Sequence, residues 1–369
     1  MPETRSSQDL RIRNLDAVLN AVTEHGPRTR NAIAEATGLH KSSVSSLVDE
    51  LTELGVLRLH APRHEGTTGR PAAIVDLAPG AAAGLGVEVR ADALVAHVSD
   101  LAGRPRYQSS RRAPHHVRRP EAVMDDLVAL AHGALAEVAR QQLRLSAITL
   151  ALPGVLDAER GVLERFRQRL ARPDLTVTAD SSCSLAALAE GVADCLYVSG
   201  DDSISARLLV DGQLLRAPGF PDAFGHIHVE ADGPRCRCGR FGCLEVFTRR
   251  AALLDAAGLG DGTFADLLEQ ARTGHPRALG AIAAAGHWLG VGLSSAVNLL
   301  APPTIVLGGD FAVLAPWLLP SVEDELRARV FGRTPAWPSV AVAQLGPDAA
   351  ARGAAAVATR SVDRLLRAV

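Results

Sequence analysis

The sequence predicts an α/β protein in which a small winged helix-turn-helix domain precedes a larger domain of alternating strands and helices. Two observations lead to this prediction. Within the first 77 residues, three short helical patterns are followed by two short alternating segments. From residue 84 onward, buried-type strands and amphipathic helices alternate, with a small-residue segment, APGAAA, between the two regions. With 369 residues and 47% hydrophobic composition, the chain can bury more than one core.

The N-terminal helical patterns have clear ends. Apolar residues recur at helical spacing over Ile12–Val22, and the Gly-Pro pair at 26–27 ends that helix. A short helix is predicted over Arg30–Thr37 and a third over Lys41–Leu54, and VLRL and AIVDL then alternate as strands around a polar turn. A generic small helical domain is the alternative, but it would need neither the tight turn between the second and third helices nor the hairpin.

The third helix is the candidate recognition helix, since such helices present their N-terminal residues to major-groove edges. The polar residues on its outer face and at its cap are His40, Lys41, Ser42, Ser45 and Ser46. Arg70, in the predicted wing, could reach a phosphate or a narrow minor groove. Any one of these residues could equally be a solvated surface residue, so the set favours DNA binding more than its members do.

The bulk properties limit the class of protein. The formal net charge is −2, so any surface that attracts nucleic acid must be local. The N-terminus has no apolar signal core and no uninterrupted apolar run is long enough to span a bilayer, so a cytoplasmic protein without a membrane partner is expected. Cys183 and Cys195 are isolated among apolar residues and are expected to be buried free thiols.

The other three cysteines lie close together in the segment 225–245, which reads GHIHVEADGPRCRCGRFGCLE. Cys236, Cys238 and Cys243, with His226 ten positions before the first, can converge on one tetrahedral Zn²⁺. Incidental thiols in a tight loop are the alternative, but clustering outside any hydrophobic run makes it the weaker one. Because four protein ligands leave no open coordination position, the predicted zinc is structural.

The same segment, GH and then CxCGxxGCLE, resembles the zinc signature of the ROK family, which holds sugar kinases and related transcriptional regulators. The resemblance covers essentially the whole chain. It implies a two-lobed actin-like (ribonuclease-H-like ATPase) fold for residues 84–369, after a winged helix-turn-helix over 1–77 and a linker over 78–83. The N-terminal domain, including Gly69–Pro71, is also similar to that of ROK regulators, and kinases of the family lack it.

The resemblance therefore implies a DNA-binding transcriptional regulator, specifically a repressor. Its partner would be a double-stranded DNA operator. A homodimer, or a dimer of dimers, would place two winged domains on a pseudo-palindromic site, because two-fold symmetry in the protein matches two-fold symmetry in the operator.

The family's kinase chemistry is not expected here. The family's first phosphate loop resembles DIGGTK, whereas this chain has EVRADA over Glu88–Ala93. At the position of the family's second phosphate loop, this chain reads GDDSISA, with Asp201 and Asp202. Phosphates need backbone N–H groups from glycines, and no lysine is nearby to offset the acids. Alignment of SLAALAE with the family's catalytic helix places Ser182 at the base and Ser181 at the sugar-binding Asn. A lone serine cannot take the hydroxyl proton, so no enzyme activity is predicted.

Some alternatives stay open. A two-residue slip would recover Asp180 as the base, although the asparagines would still be missing. Sugar-binding relatives carry Glu where this chain has Ala223, so His226 and Glu245 are the remaining candidates for binding a sugar or sugar-derived effector. Glu245 could instead orient the metal loop or cap the next helix. The alternative functions are a sugar kinase with an extra N-terminal domain and a zinc-stabilised module that binds protein.

Overall fold

The computed structural model describes residues 7–60, 73–78, 80, 82–112, 119–153, 156–215, 223–332 and 337–360. The chain forms two compact units. Unit 1 consists of Met1–Ala151, Val162–Ala179 and Ala354–Val369, and unit 2 of Leu152–Gly161 and Asp180–Gly353. The C-terminal segment therefore returns to unit 1 after the chain has built unit 2.

The first part of unit 1 is a winged helix-turn-helix, as the sequence predicts. Its elements are α1 (Ser7–His25), β1 (Arg28–Thr29), α2 (Arg30–Thr37), α3 (Lys41–Glu53), β2 (Leu57–His60) and β3 (Ile74–Leu77). We call this part the winged domain. Its sheet has the order β1-β3-β2 with antiparallel pairing, so the predicted two-strand ribbon gains a third, two-residue strand before α2. The predicted wing, residues 61–72, lies outside the described residues.

The winged domain shares its core with the rest of unit 1. Ala82 and Leu101, the latter from the turn after the second strand of the next sheet, are buried in one hydrophobic cluster with residues of α1, α2 and α3. Arg144 Nη1 also donates a hydrogen bond to the Leu54 carbonyl, 3.3 Å away. The next strand begins at Ala83, at the end of the predicted linker. These contacts hold the winged domain against the remainder of its unit.

The second part of unit 1 is a five-stranded mixed sheet covered by helices. Its elements are β4 (Ala83–Val89), β5 (Ala93–Asp100), β6 (Pro105–Arg112), α4 (Pro120–Arg140), β7 (Leu145–Leu152), α5 (Leu156–Leu170) and β8 (Val177–Ser181). The strand order is β6-β5-β4-β7-β8, with β4 parallel to β7 and antiparallel to β5. At Gly84 a Cβ would lie 2.1 Å from the Ala355 carbonyl oxygen, so only glycine lets the C-terminal helix pack this closely on β4.

Unit 2 repeats the pattern of a five-stranded sheet with helices. Its elements are α6 (Ser182–Glu190), β9 (Cys195–Gly200), β10 (Ile204–Val210), β11 (Gln213–Leu214), a 3₁₀ turn (Phe224–His226), α7 (Glu245–Thr248), α8 (Arg250–Ala257), α9 (Phe264–Arg272), α10 (Pro276–Leu300), β12 (Thr304–Gly309), α11 (Asp310–Arg329), β13 (Ser339–Val342) and a second 3₁₀ turn (Gly346–Asp348). The helix α12 (Ala349–Arg360) closes the described chain. The strand order is β11-β10-β9-β12-β13, in which β9, β12 and β13 are parallel.

Helix α10 is the central core helix of unit 2. Within the described residues it is the one helix whose length and apolar composition would allow it to cross a membrane, and 61% of its most apolar window is buried inside the protein. Its buried residues, among them Ile282, Leu289 and Leu293, belong to the main cluster of the unit. The core helix of a soluble protein passes the same test of length and composition, and the burial of α10 fits a core helix.

Candidate DNA-binding surface and metal-binding loop

The helix-turn-helix is fixed by local hydrogen bonds at both ends of α2. Thr29 caps the helix by accepting a hydrogen bond from Ala32 N at 3.2 Å, and Gly38 ends it in the left-handed conformation at φ 68°. The candidate recognition helix, α3, then begins at Lys41. Its buried apolar residues are Val44, Leu47, Val48 and Leu51. With this face against α1 and α2, the opposite face of α3 points away from the core.

The predicted DNA-contact residues lie on that opposite face. His40, Lys41, Ser42 and Ser46 are exposed, and Ser45 is half-buried. Ser43, which was not among the predicted contact residues, is exposed as well. Arg70 lies outside the described residues. The N-terminal turn of α3 thus presents hydroxyl, imidazole and ammonium groups, which can donate hydrogen bonds to base edges or phosphates.

Two ion pairs engage Asp49 and Glu50, two of the three acids in the C-terminal half of α3. Arg30 pairs with Asp49, and Arg11 Nη2 lies 2.8 Å from Glu50 Oε1. Exposed pairs of this kind contribute little to stability. Their effect on the surface potential is more relevant, because an unpaired carboxylate on the recognition helix would repel DNA phosphates.

The base of the wing is held by one carboxylate. Asp76 on β3 accepts hydrogen bonds from Arg58 Nη2 at 2.8 Å and lies 3.0 Å from His60 Nε2, both on β2. Burial alone would raise the pKa of Asp76, but the hydrogen bonds from Arg58 and His60 outweigh burial and hold the pKa below its ordinary value. The two strands that lead into and out of the wing are therefore cross-linked where the described part ends.

The four predicted metal ligands come together in unit 2. One donor atom from each of His226, Cys236, Cys238 and Cys243 lies within 4.8 Å of the other three. The Cys238 and Cys243 sulfurs are 3.7 Å apart, and Cys236 Sγ is 3.5 Å from His226 Nδ1. A tetrahedral Zn²⁺ would place two sulfurs about 3.8 Å apart and a sulfur and nitrogen about 3.5 Å apart. The donor set and its spacing fit a metal ion.

The backbone of this loop permits the convergence only because of a glycine. Gly242 has φ 62°, and a Cβ there would lie 1.7 Å from the Glu230 carbonyl oxygen. The isolated bridge between His228 and Cys243 ties the two ends of the loop together. The ligand-bearing segments are therefore preformed by the backbone.

The cysteines of the loop differ in acidity. A backbone hydrogen bond from Arg240 lowers the pKa of the exposed Cys238 thiol, whereas burial raises the pKa of Cys243 to about 12. A thiolate at Cys243 therefore needs a cation beside it, and a bound metal supplies one.

Glu245 faces this loop and not open solvent. It is 4% exposed, begins α7, and its Oε1 accepts a hydrogen bond from Arg237 Nη2 at 3.1 Å. Arg237 Nη2 also donates to the Asp202 carbonyl at 3.1 Å. Glu245 thus positions Arg237, which in turn links the metal loop to the turn after β9.

The first phosphate-loop position, in unit 1, is a closed turn. Arg90 N donates to the Ala93 carbonyl at 2.9 Å, and Arg90 Nη2 lies 3.0 Å from Oε2 of the buried Glu88. Asp92 is exposed at the tip. The tight β4–β5 connection uses the backbone N–H of Arg90 that a phosphate would need.

The second phosphate-loop position, in unit 2, contains an arginine that the sequence analysis did not identify. Asp201 and Asp310 follow the paired strand ends Gly200 and Gly309. Arg250 makes a bidentate ion pair with Asp310, at 2.8 and 2.9 Å, and its backbone N–H donates to the Asp201 carbonyl. Burial raises the pKa of Asp201, and it raises the pKa of Asp310 to about 6 in spite of Arg250. In the absence of a lysine, the half-buried Arg250 supplies a positive charge beside these acids.

The segment that carries the base in the kinases forms the N-terminus of α6. Ser181 caps the helix by accepting from Ser184 N at 3.1 Å, and Asp180 accepts from Ser181 N at 2.7 Å. Ser182 Oγ is buried and has no hydrogen-bond partner among the described residues. Arg207 on β10 donates to Ser181 Oγ and to Ser184 Oγ. Among the described residues, no base is hydrogen-bonded to Ser182.

Arg207 and Arg250 are the site residues that sequence reasoning missed. Arg207 interrupts the apolar strand ISARLLV, which is a visible signal, since a buried strand seldom carries a charge. Arg250 begins the helix after α7 and carries no comparable local signal. Its partner Asp310 is 60 residues away in the chain.

The ROK family pattern matches residues 85–361 and the MarR family pattern matches residues 17–66. The chain is 23% identical over 364 residues to the xylose repressor of Bacillus subtilis (strain 168), covering 93% of this chain and 94% of that protein. It is 27% identical over 350 residues to the N-acetylglucosamine repressor of Escherichia coli O157:H7, covering 84% of each.

Solved structures confirm the fold class. A crystal structure of a ROK family transcriptional regulator, a homolog of the E. coli MLC protein, has a TM-score of 0.80 at 21% identity and covers 97% of this chain and 98% of that chain. A ROK family glucokinase from Streptomyces griseus in complex with glucose and AMPPNP has a TM-score of 0.62 at 24% identity, covering 74% of this chain and 98% of that chain. Since the family pattern spans well over half of its length, the chain belongs to the ROK family.

Proposed function

We propose that this protein is a DNA-binding transcriptional repressor of ROK type whose kinase-like part does not catalyse phosphoryl transfer. The observation that carries the proposal is an accessible recognition-helix N-terminus, with Lys41 at its first position, on a winged domain joined to a ROK region. The two relatives named as repressors match 93% and 84% of the chain. The kinase aligns with a smaller part of the chain.

The metal loop would have a structural role in this regulator. His226, Cys236, Cys238 and Cys243 would hold one Zn²⁺, and the thiolate-rich donor set supports zinc over harder ions. With four protein ligands, the ion would organise the loop and, through Arg237, the turn after β9.

The remaining assignments complete the proposal. DNA contacts would come from the exposed residues of α3 and from Arg70. The functional parts would be a winged helix-turn-helix domain over 1–77, a linker over 78–83 and an effector and dimerisation domain over 84–369. His226 and Glu245 would lie beside a sugar-derived effector. The protein would act in the cytoplasm as a homodimer or a dimer of dimers, because a two-fold operator matches a two-fold protein.

Footprinting tests the proposal. The purified protein is mixed with the region upstream of its own coding sequence, in the presence of excess unrelated DNA and at two salt concentrations. We expect protection of a short inverted repeat that weakens as salt rises, because neutralised phosphates release counterions. Lys41→Ala and Arg70→Ala should both weaken protection. Unchanged protection in both variants would contradict the proposed docking of α3 and the wing.

Calorimetry with ATP separates this function from that of a sugar kinase. Asp201, Asp202 and Asp310 lie where a triphosphate would be bound, and Arg250 is already paired with Asp310. Like charges in a partly desolvated site oppose binding. We therefore expect no ATP binding and weak or absent binding of plain glucose, N-acetylglucosamine or xylose. ATP-dependent phosphorylation of any of these sugars would contradict the non-catalytic assignment.

A further inference from the structure

A buried arginine in unit 2 has only neutral partners among the described residues. Arg207 is 5% exposed. Its Nε donates to Ser184 Oγ at 2.6 Å, its Nη2 donates to Ser181 Oγ, and its Nη1 donates to the Ala206 carbonyl at 2.9 Å. Charged groups are rarely buried without an opposite charge, because desolvation of the ion is costly.

The hydrogen bonds of this cluster leave an excess of donors. Ser181 Oγ accepts from Arg207 and from Ser184 N, so its own hydrogen goes to Ser184 Oγ, 2.8 Å away. Ser184 Oγ then accepts from Ser181 and Arg207, and its hydrogen needs a further acceptor. A guanidinium has five N–H groups, of which three are placed here. The buried Ser182 hydroxyl also has no partner among the described residues.

The electrostatic field acts in the same direction. The cluster lies at the N-terminus of α6, a nine-residue helix, with Ser181 as its cap. Peptide dipoles make this helix end positive, which adds to the charge of Arg207. Within the described part of the chain, no carboxylate forms an ion pair with Arg207. An acceptor-rich anion would satisfy the charge, the spare N–H groups and the hydroxyls together.

We propose that Arg207, Ser182 and Ser184 bind the anionic group of a small effector, an oxyanion carried on a sugar. A sugar phosphate and a sugar acid share this chemistry. The inference rests on the proposed regulator function and assigns the class of its effector. It agrees with the weak binding expected of neutral hexoses, since a neutral sugar would leave the charge of Arg207 without an opposite charge among the described residues.

A thermal-shift assay with paired ligands tests the inference. The full-length protein is heated with sugar phosphates (glucose 6-phosphate, xylose 5-phosphate, N-acetylglucosamine 6-phosphate), sugar acids (gluconate, glucuronate), their neutral parents, and inorganic phosphate. At a ligand concentration about 100 times Kd, we expect at least one anionic sugar to raise Tm by about 5 °C. Its neutral parent should not. The phosphate and acid arms identify which oxyanion is bound.

Variants separate a ligand site from a structural contact. Arg207→Met should abolish the shift and Arg207→Lys should keep part of it, because lysine retains the charge without the planar fork. Ser184→Ala is a milder change and should reduce the affinity for the anionic sugar about tenfold. It keeps the inference testable if the variants at Arg207 do not fold.

The outcomes are distinct. No shift with any anionic sugar, or an equal shift in Arg207→Lys, Ser184→Ala and the wild type, overturns the inference. Operator binding without any sugar is measured in parallel. A protein that binds its operator but no anionic sugar would refute this inference and leave the proposed repressor function intact.

Discussion

Lys41 is the only lysine in the sequence, and it occupies the first position of the recognition helix. A cation at a helix N-terminus is unfavourable for the peptide dipoles, and the first turn of α3 contains no acid to offset it. The residue is therefore poorly placed for helix stability and well placed to meet a phosphate or a guanine edge.

Lys41→Ala should weaken operator binding without destabilising the fold. A base contact would cost about 1–3 kcal/mol and relax specificity, whereas a phosphate contact would weaken binding to all sequences alike. Fluorescence anisotropy with operator and scrambled duplexes distinguishes the two. Arg140→Ala, an exposed arginine on α4, removes the same charge outside the winged domain and serves as the control. Equal effects of the two variants would show that only net charge matters.

Asp310 and Arg250 give a pH-dependent prediction. Because the pKa of Asp310 in the fold, about 6, lies above the ordinary 3.8, the folded protein keeps a proton that the unfolded chain loses between these values. The corresponding stabilisation is present below about pH 4 and is lost as the pH rises to about 6. The free energy of unfolding of the wild type should therefore fall relative to Asp310→Asn by up to about 3 kcal/mol over this window.

Urea unfolding of both proteins at pH 4, 5, 6 and 7 measures that difference. Other titrating groups are common to the two proteins, so the change in the difference reports Asp310. Parallel profiles would mean that the ion pair with Arg250 keeps the pKa of Asp310 near its ordinary value.

At the scale of elements, the sequence predicts the helices of the winged domain closely and some later elements, such as β6 and α11, poorly. The ends of α2 are set by Thr29 and Gly38, whose local chemistry is visible in the sequence. By contrast, β6 is a polar, mostly exposed edge strand that exists through pairing with β5. Helix α11 contains Pro316 and Pro320, which in a sequence indicate breaks, yet buried Phe311, Leu314 and Leu318 hold it in the core.

The candidate sites follow the same division. The metal ligands lie within 18 residues of one another, so their spacing alone predicts the cluster. The contacts of Arg207 with Ser181 and of Arg250 with Asp310 join segments 26 and 60 residues apart. Such pairs depend on sheet order and strand register, which a single sequence does not encode in local patterns.

The joint between the winged domain and the rest of unit 1 depends on Leu101. This side chain is 6% exposed and packs into the core of the winged domain from the β5–β6 turn. Leu101→Ala should lower the free energy of unfolding by about 2–5 kcal/mol and make the winged domain easier to cleave by proteases. Leu299→Ala, at a residue 83% exposed, should change it by about 0.5 kcal/mol or less. Similar values for both would contradict a shared core.

Removal of any one of the four ligands should cause the metal loop to lose its ion. Untreated wild-type protein is expected to contain one zinc per chain by elemental analysis, and Cys238→Ser should contain well under half of that. Cys195→Ser, at a buried thiol outside the cluster, should keep the full zinc content even if it is less stable. A wild-type protein with far less than one zinc per chain, prepared without chelator, would refute the metal assignment.

At the scale of the whole molecule, three features favour a DNA-binding regulator. The winged domain presents an accessible recognition helix, and its core continues into the rest of unit 1. The first position that would bind phosphates is a closed turn. The second is a cluster of acids in which Arg250 is paired with Asp310. The protein keeps the ROK fold while its chemistry favours binding over phosphoryl transfer.

A genomic binding profile of the full-length protein in its native cell tests the central claim most directly. We expect discrete enriched sites upstream of a limited set of genes, sharing one inverted repeat. These sites should be lost in a Lys41→Ala strain with equal protein abundance. A wild-type profile indistinguishable from that of Lys41→Ala, with no shared sequence among the enriched regions, would contradict DNA binding as the function of this protein.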